Sequence, residues 1–158
     1  MLSDQYFMEQ AIKLALEAEN EGNLPIGALI VLDGEILSQG GNTMLKPNYH
    51  PGAHAEMVAL SRIPHEYWPR TSEMTCYTTL EPCLMCFGSL LLHGVGRIVF
   101  GAMDRLGGAG YIMEHLPPFY THHGGRVPEW VGPLMPSFCD PLYQRAHEAF
   151  IKLPHLHP

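Results

Sequence analysis

Thr79-Leu80-Glu81-Pro82-Cys83-Leu84-Met85-Cys86 is the stretch around which the chain is organised. The residues leading into it, Thr75 to Thr79, are β-formers, and Pro82 suits the entry to a helix. Phe87 to His93 continues as an apolar helical run. A strand, a tight turn and a helix are therefore predicted. Two cysteines three positions apart at a helix start can aim both sulfurs at one point. The partial positive charge of a helix N-terminus favours thiolate there, and thiolate is the form that binds a metal. The pair alone leaves three readings open: a metal site, a redox pair at a strand-to-helix junction, and buried thiols with no role.

A second stretch narrows them. Pro51-Gly52-Ala53-His54-Ala55-Glu56 precedes the helical run Met57 to Leu60. In mid-helix, residues two apart point to nearly opposite faces. His54 and Glu56 can share a pocket only if His54 opens the helix, which Pro51-Gly52 just upstream favour. His54, Cys83 and Cys86 then make three protein ligands and leave the fourth tetrahedral position open, as catalytic zinc sites do. Water at that position can be activated toward hydroxide near neutral pH. Glu56 has no ligand role in this count and is free to shuttle protons.

His54-Ala55-Glu56 followed by Pro82-Cys83-Leu84-Met85-Cys86 resembles the signature of zinc-dependent nucleobase and nucleoside deaminases. Over roughly residues 4 to 112 the chain resembles the cytidine/deoxycytidylate deaminase superfamily, nearest its branch of tRNA adenosine deaminases and bacterial guanine deaminases. The resemblance implies a cytidine deaminase-like fold, one Zn2+ per chain, hydrolytic loss of an exocyclic amine with Glu56 as the catalytic residue, and a homodimer. It also implies substrate contacts. Pro25 and Ile26, with Gly27-Ala28, resemble the family's pocket-wall segment. Asn42 stands where an asparagine hydrogen-bonds the ribose or base. Leu80 and Glu81, inside the motif, are counted with them. The backbone N–H groups of Ala55 and Cys83 are placed to steady the attacked centre. Asp104, ending Phe100-Gly101-Ala102-Met103-Asp104, stands where tRNA adenosine deaminases carry an aspartate that contacts a neighbouring ribose, although Met103 replaces a common basic residue and the glycine loop is short. From the residues alone, each has a plainer reading: a strand start at Pro25–Ala28, a turn at Gly40-Gly41-Asn42, and a turn cap at Asp104.

Composition bears on the substrate. The chain has 158 residues, 46% of them hydrophobic, which suits a single domain over 1–158 with a sizeable core. No apolar run is long enough to cross a membrane, and the first 30 residues lack a basic start followed by an apolar stretch. With two of four cysteines assigned to metal, a reducing cytoplasm is expected rather than a disulfide framework. The net charge is −7, and the nine Lys and Arg are scattered with no basic run, which argues against a nucleic-acid partner unless the fold gathers them. The expected substrate is therefore a nucleobase, nucleoside or related small heterocycle. The alternative is a tRNA adenosine at the anticodon wobble position, supported by the Thr79–Cys83 motif, Asn42 and the Phe100–Asp104 segment. A zinc-stabilised interaction module is disfavoured by Glu56 beside an open metal position, and a redox role leaves His54 and Glu56 unexplained.

The remaining elements follow in order. A helix capped by Ser3 or Asp4 runs to about Glu21, and strands at Ala28–Leu32 and Glu35–Gly41 are joined by an Asp33-Gly34 turn. Tyr67-Trp68 is a packing plug in a connector. The helix with Leu84, Phe87, Leu90, Leu91 and Leu92 is apolar nearly all round and is expected to be buried, partly against a second subunit. Residues 96–102 form another strand. Residues 111–141 hold six prolines and form an irregular excursion that either sets Phe119, Tyr120, Trp130 or Phe138 over a ring or packs as a surface loop. His115, His122 and His123 are the ingredients of a second metal site, and Cys76 and Cys139 are inert. Asp140 caps a last helix over 141–153, and the tail 154–158 frays. The sum is an α/β chain: a three-layer α/β/α sandwich around a mixed sheet of about five strands.

Overall fold

The structure is a computed structural model that describes residues 2–122 and 126–153, the His122 side chain excepted. Helix α1 (Asp4–Asn20) opens on Ser3, whose Oγ accepts the Tyr6 N–H at 3.2 Å, satisfying one of the donors a helix start leaves free. Its buried stripe is Phe7, Met8, Ala11, Ala15 and Ala18. Strands β1 (Gly27–Leu32) and β2 (Glu35–Gly41) form a hairpin over Asp33-Gly34, both at positive φ (54° and 80°), as a turn matched to strand twist requires. Helix α2 (Ala55–Ser61), 3-10 turns over His65–Glu73, strand β3 (Thr75–Leu80), helix α3 (Leu84–Leu92) and strand β4 (Arg97–Ala102) follow. The chain continues through 3-10 turns at Ala109–His115, a short helix α4 (Pro118–His122), strand β5 (Glu129–Val131) and helix α5 (Pro136–Phe150).

The sheet order is β2-β1-β3-β4-β5, antiparallel at β1 and parallel across β3, β4 and β5. Side chains alternate between faces along each strand. Ala28, Ile30, Cys76 and Ile98 pack with Ala59 and Leu60 of α2 and Phe87 and Leu90 of α3. Leu29, Val31, Tyr77 and Val99 pack with Phe7, Met8 and Ala11 of α1 and Cys139 of α5. This places α2 and α3 in one layer and α1 and α5 in the other, so the expected α/β/α sandwich is present. Arg97 ties the α1 layer to the sheet: its guanidinium donates to Asp4 at 2.7 and 2.8 Å and to Glu129 at 3.0 Å.

Two expectations need correction. Residues 111–141 are not an irregular excursion throughout, because they supply the fifth strand, β5. Trp130 in β5 packs against Phe87 and Phe100, with ring centroids 5.4 and 5.2 Å apart, so it belongs to the core. The last helix starts at Pro136, not Pro141; Asp140 lies inside it and caps nothing. Pro141 removes one backbone donor, yet Cys139, two residues earlier, is fully enclosed within a helix that begins upstream at Pro136. In α3, Cys86, Phe87, Leu90 and Leu91 are buried within this chain, while Leu84 and Leu92 are 59% and 62% exposed in it. Tyr67 and Trp68 do plug the α2–α3 side of the core. His123 and the 154–158 tail lie outside the described residues, so the His115–His122–His123 grouping and the fraying do as well.

Candidate active site

Strands β3 and β4 run parallel and end together at Leu80 and Ala102, and a crevice beyond the carboxyl ends of parallel strands is the usual ligand site of an open α/β sheet. A cavity of about 250 Å³ lies there, lined mainly by apolar atoms. The α2–α3 layer contributes His54, Glu56 and Cys83, the strand ends contribute Leu80, Glu81 and Asp104, and the opposite layer contributes Tyr143, Ala146, His147 and Phe150 of α5. Leu24 and Ile26 complete the wall.

His54 is the N-cap of α2 and Cys83 the N-cap of α3. The chain turns into each helix at these residues, so the two side chains meet in front of two helix N-termini. His54 Nδ1 stands 3.6 Å from both Cys83 Sγ and Cys86 Sγ, and among the described residues these three form the grouping able to hold a metal ion. A tetrahedral zinc with Zn–S of about 2.3 Å and Zn–N of about 2.0–2.1 Å has an N···S edge of about 3.6 Å. The donor set thus fits zinc in chemistry and spacing, with three ligands and one open position.

The thiols interact strongly. A hydrogen bond from Cys86, followed by the His54 imidazole, holds the Cys83 thiol down to about 4. Sharing that hydrogen bond, together with burial, pushes Cys86 up. His54 is raised, chiefly by its hydrogen bond to Cys83. Glu56 follows one residue into α2, is 4% exposed, and has its carboxyl raised by burial. Thr78 Oγ1 of β3 donates to Glu56 Oε1 at 3.1 Å, fixing the carboxylate against rotation.

The model of the cytidine and deoxycytidylate deaminase zinc-binding region matches residues 1–102. The tRNA-specific adenosine deaminase of Bacillus subtilis (strain 168) is 38% identical over 130 residues, which cover 80% of each chain. The chain belongs to the cytidine and deoxycytidylate deaminase family. A structure from biochemical and structural studies of A-to-I editing by tRNA:A34 deaminases at the wobble position superposes with a TM-score of 0.73 at 30% identity, over 87% of this chain and 98% of that one. A guanine deaminase from Nitrosomonas europaea shares the fold with a TM-score of 0.69 at 18% identity, over 93% and 86% of the two chains. This family member is a zinc-dependent hydrolytic deaminase.

Of the residues expected to touch substrate, Ile26, Leu80, Glu81 and Asp104 line the cavity of this deaminase. Pro25, Asn42 and Ala55 are buried beside it without lining it. The Asn42 side-chain oxygen accepts the Met44 N–H at 3.0 Å, and Asn42 Nδ2 is the buried side-chain atom left without a partner among the described residues. Glu81 is already engaged: Oε2 accepts the Asp104 N–H at 2.9 Å and Oε1 the Gly110 N–H at 3.0 Å. Asp104 Oδ1 accepts the Leu106 and Gly107 N–H groups and the Tyr143 hydroxyl at 2.8 Å. The plainer sequence reading of Asp104, a turn cap, thus describes its contacts. Sequence reasoning missed Thr78 and the α5 wall. The spacing Tyr143, Ala146, His147, Phe150 is one helical face and could have shown the wall. The alternation of β3, which puts Thr78 on the same face as Cys76, could have shown Thr78.

Proposed function

We propose that this deaminase acts on adenosine at the anticodon wobble position of a tRNA, converting it to inosine, with His54, Cys83 and Cys86 holding the zinc and Glu56 as the catalytic acid and base. The observation that carries the chemistry is the open three-ligand cluster beside a buried, hydroxyl-anchored carboxylate at the end of an apolar cavity. The substrate is supported by the identity to tRNA-specific adenosine deaminases over most of the chain.

Zinc bound at this cluster supplies the Lewis acidity that lowers the pKa of water toward neutrality. Glu56, held by Thr78, is placed to accept a proton from an attacking water and would deliver it to the ring nitrogen next to the amine-bearing carbon. Hydrolysis forms a C–O bond and breaks the C–N bond, and Glu56 would pass the remaining proton of the added hydroxyl to the departing ammonia, leaving a carbonyl. The Ala55 and Cys83 N–H groups, at two helix N-termini, face developing negative charge. Asn42 Nδ2 offers a donor for which the described residues supply no acceptor, and a ribose or base oxygen would satisfy it.

A second reading, a free nucleobase, nucleoside or similar small heterocycle, is favoured by the charge of −7 and by the engagement of Arg70, Arg97 and Arg145 in ion pairs. The four cysteines are free, which suits a cytoplasmic location, and the exposed Leu84, Met85 and Leu92 on α3 suit a homodimer contact. No helix among the described residues is long and apolar enough to cross a membrane. Ammonia release from an arginine tRNA anticodon stem-loop, with inosine at the wobble position, tests the proposal. No release from zinc-loaded protein, with release from a free base or nucleoside, would replace it by the second reading. Glu56→Ala should keep zinc and lose about a hundredfold or more in turnover.

A further inference from the structure

Apart from the zinc-facing residues and Glu56, four polar side chains among the described residues line the cavity: Glu81, Asp104, Tyr143 and His147. Glu81 and Tyr143 are engaged by the protein itself, and Asp104 is engaged through Oδ1, one of its two oxygens. Both Glu81 oxygens accept backbone N–H groups. Asp104 Oδ1 accepts two backbone N–H groups and the Tyr143 hydroxyl, and that contact commits Tyr143 as well. The His147 imidazole has no hydrogen-bond or ion-pair partner among the described residues, and its ring meets the Tyr143 ring at a centroid distance of 6.1 Å.

The imidazole is carried on a fixed support. Arg145 clamps α5 to α1 by a two-pronged contact with Glu19, at 2.6 and 2.9 Å. The Tyr143 hydroxyl clamps the same helix to the Asp104 loop at 2.8 Å. His147 therefore enters the cavity from the helical layer opposite the one that carries His54, Glu56 and Cys83. A substrate whose amine faces Glu56 must turn its other edge, or its sugar, toward α5. A neutral imidazole has one donor and one acceptor nitrogen, and a half-buried polar group without a protein partner gains most from a ligand that supplies one.

We propose that His147 is a substrate-contacting, specificity-determining residue: it hydrogen-bonds a hydroxyl or ring heteroatom of the nucleoside on the side away from the leaving amine. This rests on the deaminase reading, but its test does not require turnover. Zinc-loaded Glu56→Ala protein binds without converting, so equilibrium affinities for adenosine and for the arginine tRNA anticodon stem-loop can be compared with and without a second change, His147→Ala. Loss of one such hydrogen bond should weaken binding of adenosine and of the stem-loop by about tenfold. His147→Gln, which keeps a donor and an acceptor at similar reach, should restore most of the loss. In the active enzyme His147→Ala should raise KM with kcat within about twofold. A merely structural role would instead lower the melting temperature, and Gln would not rescue. Equal affinity of the His147→Ala and parent proteins for both probes, with zinc content and melting temperature unchanged, would overturn the proposal. If the wild type binds both probes but releases no ammonia, the deaminase reading fails while the binding comparison still decides the role of His147.

Discussion

Glu81→Gln separates two accounts of one residue. As a substrate ligand, Glu81 would matter to KM and little to stability. The structure gives it a different task, because its two oxygens hold the N–H groups of Asp104 and Gly110, 23 and 29 residues away. Those bonds close the 104–110 loop onto the zinc turn, where Ala109 N also bonds Pro82 O at 2.9 Å and Cys83 pairs with Gly108. The contact is tight, since a Cβ added at Gly110 would lie 2.6 Å from Glu81 Oε1. Gln keeps the shape but turns one acceptor into a donor facing an N–H, and the surviving bond loses its charge. A hydrogen bond to a charged group is worth about 1.5–3 kcal/mol, so the net loss should be about 2 kcal/mol. For a chain of this length that is a fall of about 4–8 °C in melting temperature. Urea and thermal unfolding of zinc-loaded protein read it directly, alongside zinc content, which should not change. An unaltered melting temperature with a raised KM would refute the loop-closing account and return Glu81 to the substrate.

Four further outcomes are expected. His54→Ala should lose zinc on dialysis, read by metal analysis, because two thiolates remain where three ligands are needed. Thr78→Val, nearly equal in shape, should keep zinc and cut kcat about five- to tenfold by freeing Glu56 to rotate. Gly27→Ala should destabilise by about 3 kcal/mol in urea, since a Cβ there would collide with the Ala11 carbonyl and stand 2.6 Å from Ala15 N. Asp4 is held down to about 2 by the Arg97 guanidinium, from an ordinary value of 3.8. A lowered folded-state value stabilises above the unfolded one, so its contribution is whole above about pH 4 and disappears as pH falls through about 2. With Asp4 37% exposed, solvent screening leaves about 1 kcal/mol. Asp4→Asn should therefore cost that amount at pH 7, and its urea midpoint should converge on the parent's toward pH 2.

The zinc turn was legible in the sequence because its geometry is local. Cys83 and Cys86 lie within one turn of a helix, and the His54–Glu56 spacing works only at a helix start, where the structure has it. The hairpin and the α1 stripe were legible for the same reason, a turn dipeptide and a 3.6-residue period. Strand β5 was not, since Glu129-Trp130-Val131 is too short to show alternation and stands between prolines. The start of α5 was hidden by Asp140-Pro141, which imitates a cap and first turn, whereas the fact that decides it, burial of Cys139, is tertiary. The bonds of Glu81 and the Tyr143–Asp104 contact span 23 to 39 residues, and no local pattern reports them.

The division between what was readable and what was not follows the division of labour in the site. His54, Glu56, Thr78, Cys83 and Cys86 all lie within residues 1–102, the part matched by the family model. They stand on the helix starts of the α2–α3 layer and on the sheet strand facing it, where bond-making chemistry needs fixed positions. The opposite wall, Tyr143 to Phe150, lies outside that part and belongs to a helix clamped independently through Glu19 and Asp104. Replacing side chains along that face changes the shape and polarity of the cavity without moving the zinc cluster. An acidic chain whose α5 wall lies beyond the family-matched catalytic part is therefore best interrogated by changing α5 alone: if substrate preference shifts while zinc content and the Glu56 dependence stay fixed, chemistry and recognition are held by separate layers of the sandwich.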